Sequence, residues 1–158
     1  MKIIEKTTKF LVVFCYINIT VKNITTMKQE QKNLLLKDLL ARLPYGVKVL
    51  YEEQIYKISE VSICNETITI YGERGYPIEV EIQKVNPYLF PFSHIYDNEE
   101  LQKEFDGLIE LELKAINDEI GPMQTTEFEV DFYNKHHLDW RGLIPKGLAI
   151  DATGKNIY

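Results

Sequence analysis

Cysteine is almost missing from this chain: Cys15 and Cys64 are the only two in 158 residues. So few, so far apart, exclude the disulfide framework on which small secreted domains depend, and reduced thiols in a cytoplasmic setting fit better. Histidine is scarce too, at three residues, and there is one Trp. A basic surplus is also lacking. Eighteen Lys and Arg stand against 24 Asp and Glu, a net charge of −6. Neutralising phosphates requires the opposite balance, so neither direct nucleic-acid binding nor attachment to an anionic membrane is expected. No long apolar run occurs. The stretch from Phe10 to Val21 is interrupted by Asn18 and Thr20 and falls well short of the roughly 20 residues a spanning helix needs. No Ala precedes Ala41, so no small-x-small cleavage site follows that stretch, and the bulky Phe14 before Cys15 excludes a lipoprotein signal.

What the chain does have is a globular composition, 45% hydrophobic and 27% charged, with ten Tyr and seven Phe to build a core. Its length suits one domain. Residues 1–26 differ from the rest, with four Lys against one Glu and a mixture dominated by Ile, Lys, Asn, Phe and Thr. They are expected to be a non-native or disordered extension, with translation starting at Met27 and a single α+β domain over 27–158. The alternative is a weak uncleaved anchor or an extra strand, since Ile17–Val21 alternates.

From Met27 the three- and four-residue spacing of Leu35, Leu36, Leu39, Leu40 and Leu43 predicts a helix, ended by Pro44 and Gly46. The period then shortens to two. Runs at 47–51, 55–58, 61–63, 67–71 and 78–82 are β-branched, alternating and too closely spaced for crossover helices. They predict an antiparallel β-meander or a small, partly closed, SH3-like barrel, with Gly72–Gly75 as a hairpin turn. Pro87 and Pro91 mark an aromatic connector kept out of any central ladder. A long helix follows, capped by Asp97 with Glu100 as its partner and closed by Gly121-Pro122. A last helix starts at Thr126, and a polar tail beyond Thr153 is expected to fray.

Few residues carry recognisable chemistry. His136-His137, with Asp139, invites a metal or hydrolytic reading, but adjacent helical side chains diverge by about 100°, and histidines at a helix C-terminus also serve its last carbonyls. No metal or cofactor is expected. Cys64 reads as a small buried hydrophobe in a strand. Charge is the unusual feature: twelve acidic residues lie between Asp97 and Asp131 against Lys103 and Lys114 only. Such a run is either a solvated helix face or a docking surface for a basic partner. Trp140-Arg141 has the composition of an interface hot spot.

Three segments, Leu43-Pro44-Tyr45-Gly46-Val47-Lys48, Pro87-Tyr88-Leu89-x-Pro91, and His136-His137-Leu138-Asp139-Trp140-Arg141-Gly142-Leu143-Ile144-x-Lys146-Gly147-Leu148-Ala149, occur in that order. Over roughly residues 34–150 the chain resembles a family of small uncharacterised proteins of gut Bacteroides-type bacteria and their phages. It departs from that pattern at Phe90, where Arg is common, and at Leu138, Trp140 and Pro145. The resemblance implies a phage or mobile-element setting and brings no activity. The expected function is therefore an accessory protein that binds a protein partner through Glu104, Glu110, Glu112, His137, Asp139, Trp140 and Arg141. Two alternatives stand beside it. One is an acidic nucleic-acid mimic that inhibits a DNA-binding protein, and the other is a small metal-dependent or hydrolytic enzyme using His136, His137 and Asp139.

Overall fold

The computed structural model describes residues 27–72, 75–117 and 125–158, and the expectations for 1–26 and for Gly121-Pro122 lie outside them. Helix α1 spans Gln29–Arg42 and runs into a 3₁₀ turn, Leu43–Tyr45, with Gly46 left-handed at φ +72°. Pro44 sits where its missing N–H costs nothing, and the glycine ends the turn. Strands β1 (Lys48–Tyr51), β2 (Gln54–Ser62), β3 (Thr67–Tyr71) and β4 (Pro77–Glu81) then form an antiparallel meander. β1 and β2 meet through a two-residue turn in which Glu52 and Glu53 both have positive φ, the geometry that matches strand twist.

β5 (Asn86–Leu89) returns to pair antiparallel with β1, and β6 (Ile150–Asp151) adds a parallel edge. The sheet has six strands in the order β4-β3-β2-β1-β5-β6, with β4 and β6 as its edges. It is the open meander of the two expected forms and does not close into a barrel. The remaining helices are a short α2 (His94–Asp97), a long α3 (Glu99–Asn117) and α4 (Thr125–Lys135). Among the described residues no helix is long and apolar enough to cross a membrane.

Several local expectations need correction. The runs at 55–58 and 61–63 belong to one strand, β2, whose register shifts between Ile58 and Glu60. That bulge adds a residue and breaks the alternation read from sequence. Residues 86–89 are a strand despite Pro87. Only Val49↔Pro87 and Leu50↔Asn86 register β5 against β1, a ladder too short to suffer from one missing donor. Asp97 ends α2 and caps nothing in α3. Asn98 does so instead, its Oδ1 accepting from the backbone N–H groups of Glu100 and Leu101, both at 3.1 Å. Cys64 is exposed in the β2–β3 turn.

One sheet face packs on α1. Leu35, Leu36 and Leu39 are buried against Val47, Val49, Ile58, Ile68, Ile70 and Val80, and Leu143 and Leu148 extend the same cluster. On the opposite face, over β1, β5 and β6, a smaller cluster joins Tyr88 and Leu50 to Ala152 and Ile157. The tail therefore does not fray. Tyr158 donates its hydroxyl to the Tyr88 carbonyl at 2.7 Å, and Lys48 Nζ donates to the Ile157 carbonyl. A third cluster, Ile95, Leu101, Phe132 and Leu138, fastens α2, α3 and α4 beside the sheet.

Candidate functional site

The C-terminal signature begins where α4 stops. The Leu138 N–H reaches the Tyr133 carbonyl at 2.9 Å and the His137 N–H reaches that of Asn134 at 3.2 Å. These crossed bonds make a Schellman stop, whose left-handed residue is ordinarily glycine. Here it is His137, at φ +53°, a conformation that costs an ordinary residue roughly 1–2 kcal/mol. Its ring is 6% exposed and stacks on Tyr158, with centroids 3.9 Å apart and planes 14° from parallel. Beyond the stop the backbone locks onto Phe90, which donates to the His137 carbonyl at 2.9 Å and accepts from the Asp139 N–H at 2.8 Å.

Beneath this turn lies a charged cluster. Asp38 and Arg42 are both 0% exposed. Arg42 grips Asp38 through Nε at 2.8 Å and Nη2 at 3.1 Å, and donates onward to the carbonyls of Tyr133 (3.2 Å) and Leu138 (2.7 Å). The last turn of α1 thus supplies a cation at the C-terminus of α4, where the helix dipole is negative, and a second donor to carbonyls that also accept from the N–H groups of Leu138 and Trp140. Arg141 gives Asp38 a second cation at 2.9 Å, and its guanidinium carbon lies 3.9 Å from the centre of the Trp140 ring.

Asp139 is committed as well. Its two oxygens accept from the N–H groups of Leu143 (2.6 Å) and Ile144 (2.8 Å), which curls the segment back onto the core. Trp140 Nε1 donates to Asn134 Oδ1 at 3.1 Å. Of the signature residues expected to meet a partner, His137 and Asp139 are therefore buried in backbone-shaping contacts, while Trp140 and Arg141 are half-buried. Burial, followed by the nearby Arg42 and His136, pushes the His137 imidazole down to about 4, so it is neutral near pH 7. Its Nδ1 is buried without a hydrogen-bond partner.

His136 faces elsewhere. With Phe90, His94, Asn98, Glu100, Leu101 and Glu104 it lines a cleft of about 290 Å³ at the base of α3. Glu104 accepts from Lys135 at 2.7 Å, and His136 Nε2 lies 3.1 Å from its other oxygen without hydrogen-bond geometry. The Lys135 hydrogen bond, opposed by partial burial and aided by His136, holds the Glu104 carboxyl below the usual carboxylate range. Phe90 and His94 stack at 4.3 Å and 9°. Among the described residues no group of three or more His, Cys, Asp or Glu is placed to hold a metal ion. His136, His137 and Asp139 do not converge: one lines the cleft, one stacks on Tyr158, and one caps backbone.

The acidic stretch forms most of α3. Glu99, Glu100, Glu104, Asp106 and Glu110 are exposed, while the Glu112 side chain lies outside the described residues. The first turns dock, through Leu101 and Phe105, on Phe132 of α4. Leu108 still packs against this cluster, but beyond Ile109 the described apolar side chains of α3 are exposed. Leu111 is 67% exposed, Leu113 57% and, on α4, Phe128 60%. Continuing the antiparallel register set by Glu104 with Lys135 and Phe105 with Phe132 brings Phe128 level with Leu111. Among the described residues, the end of the α3–α4 pair away from the sheet-side cluster thus exposes large apolar side chains among carboxylates.

Sequence reasoning missed Asp38, Arg42 and Tyr158. For the first two a signal existed: with Leu35 and Leu39 they fall at three- and four-residue steps on one stripe, so an Asp and an Arg at i and i+4 interrupt the buried face of α1. Compared with known proteins, the chain matches no protein-family model, no curated protein and no solved structure.

Proposed function

We propose that this chain is a non-enzymatic, cytoplasmic accessory protein of a phage or mobile element, and that it binds a basic protein partner through the exposed side chains of late α3 and early α4. The observation that carries this reading is the exposure of Leu111, Leu113 and Phe128 beside Glu110. Single exposed apolar residues need no explanation, but Leu111 and Phe128 lie level on neighbouring helices, and with Leu113 on the other flank of α3 they give this end of the pair the composition of a docking surface. The carboxylates around them select the charge of the partner and speed its approach. The expected role of the 139–149 segment shifts accordingly: Asp139 shapes the backbone, and only Trp140 and Arg141 offer a partly open edge.

The test is affinity capture from expressing cells with the wild-type chain and with a Glu110→Lys/Leu111→Ser/Leu113→Ser variant. A reproducible partner that the variant loses supports the reading, and equal capture by both contradicts it. Duplex DNA in the wash separates the nucleic-acid mimic: competition for the same partner favours the mimic, and simultaneous binding removes it.

A further inference from the structure

We infer that β4 is a docking edge for an extended, basic segment of a protein partner, which adds to the sheet as a further strand. The sheet ends at β4 on one side and β6 on the other. β6 has only two residues, and its Asp151 carbonyl already accepts from Lys155 Nζ. β4 is five residues long, and its ladder with β3 fixes which backbone groups face out. The Ile82 N–H reaches the Glu66 carbonyl at 2.9 Å, and the Gly72 N–H reaches that of Tyr76 at 3.1 Å. Bonded pairs alternate in an antiparallel ladder, so Val80 with Ile68 and Ile78 with Ile70 are the bonded pairs between those two. Pro77, Glu79 and Glu81 therefore turn their backbone groups away from β3. The Glu81 carbonyl closes the following 3₁₀ turn. That leaves the Pro77 carbonyl, the Glu79 N–H and carbonyl, and the Glu81 N–H without partners among the described residues. Pro77 sits where its missing donor costs the ladder nothing.

Alternating acceptors and donors at strand spacing are met by another extended backbone. The side chains state its chemistry. On the face away from α1, Glu60, Thr69 and Glu79 stand in one row across β2, β3 and β4. Glu79 accepts from the Thr67 hydroxyl at 2.7 Å, and neither Glu60 nor Glu79 has an ion pair among the described residues. Glu81 pairs with Lys84 at 3.0 Å, both about half-exposed, a contact that adds little of its own. On the α1 side, Ile78 is 37% exposed at the rim of the core beside buried Val80. The complementary strand alternates, with Lys or Arg facing Glu79 and an apolar residue covering Ile78 and Val80. A second copy is a poor occupant, since β4 against itself sets Glu79 and Glu81 against their own counterparts. The inference goes beyond the α3–α4 surface and shares with that reading only the basic character of the partner.

Titration of the full chain with a blocked five-residue peptide of alternating lysine and valine, followed by amide NMR and hydrogen exchange, tests it. Saturable shifts and slowed exchange are expected at the Glu79 and Glu81 N–H groups, while those of Ile78 and Val80, already bonded to β3, change little. The same peptide with every backbone nitrogen methylated, and one of alternating glutamate and valine, should each bind at least about tenfold more weakly. Glu79→Gln, which can keep the Thr67 contact, should weaken the lysine peptide about threefold. Unchanged exchange at Glu79 and Glu81, shifts centred elsewhere, or equal binding of the methylated peptide overturns the inference. So does sedimentation showing a concentration-dependent dimer that Glu79→Gln strengthens, because the edge then belongs to a second copy. The experiment contains no cellular partner and leaves Leu111, Leu113 and Phe128 untouched, so its failure is separate from failure of the docking reading.

Discussion

Replacing Arg42 by Met keeps the apolar stem and removes the guanidinium. Asp38, fully buried, would retain only Arg141, and the carbonyls of Tyr133 and Leu138 would each lose a charged donor. Those carbonyls still accept from the N–H groups of Leu138 and Trp140, so the main cost falls on the buried carboxylate, left with one of its two cations. Leaving a buried charge uncompensated costs about 3–5 kcal/mol. Because Asp38 keeps Arg141, the loss should fall at the lower end, about 3 kcal/mol, still a large part of the roughly 5–15 kcal/mol that holds a domain together. Removing both charges, in Asp38→Leu/Arg42→Met, should recover about 1 kcal/mol or more relative to the single variant, because the fully buried carboxylate is gone and the charge that loses its partner is Arg141, which is partly open and rests on the Trp140 ring. Urea unfolding, followed by Trp140 fluorescence and far-ultraviolet circular dichroism, measures both. Trp140 is the only tryptophan and sits against Arg141, so it reports on the cluster directly. A loss below about 1 kcal/mol for Arg42→Met, or a double variant as unstable as the sum of its singles, would refute the reasoning.

Three further outcomes follow from the same contacts. His137 has a folded-state pKa lowered from 6.5 to about 4, so below pH 6.5 the unfolded chain binds the extra proton; stability should be level above about pH 7 and fall, by up to about 3 kcal/mol, as the pH drops toward 4. In His137→Asn, which tolerates the left-handed backbone, urea midpoints across that range should lose most of this slope. Asp139→Ala should cost about 2–3 kcal/mol by unpairing the buried N–H of Leu143 and the part-buried N–H of Ile144, with Asp139→Asn milder, as read by thermal or urea unfolding. Asn98→Ala should cost about 1 kcal/mol and Asp97→Ala almost nothing; the reverse order would place the α3 cap one residue too late.

The parts of the fold that were legible in the sequence are those governed by period and punctuation. The Leu35–Leu39 stripe, the alternating runs of β1 to β4 and the Pro44–Gly46 stop follow from local steric and burial rules, and the structure keeps them. What was illegible depends on partners distant in the chain. β6 is two residues long and exists because Tyr88 and Leu89 offer it an edge. The tail is ordered because Tyr158 finds His137 and Tyr88. His137 occupies a glycine position that no glycine marks. The recognisable run from His136 to Ala149 looked like a binding signature, yet much of it is a helix stop, a backbone cap and a lid over Asp38 and Arg42. The acidity of α3 was plain from composition, and the outward turn of Leu111 and Leu113 from spacing, since they fall on opposite flanks of the Leu101–Phe105–Leu108 stripe, about 100° from its centre.

The proposed role rests on the exposed side chains of late α3 and early α4, and affinity capture with the Glu110→Lys/Leu111→Ser/Leu113→Ser variant beside a Trp140→Ala control tests it most directly. The account predicts one reproducible basic partner that survives Trp140→Ala with at most a modest loss and disappears with the helix-tip variant. Retention of that partner by the helix-tip variant, with loss on Trp140→Ala alone, would contradict it.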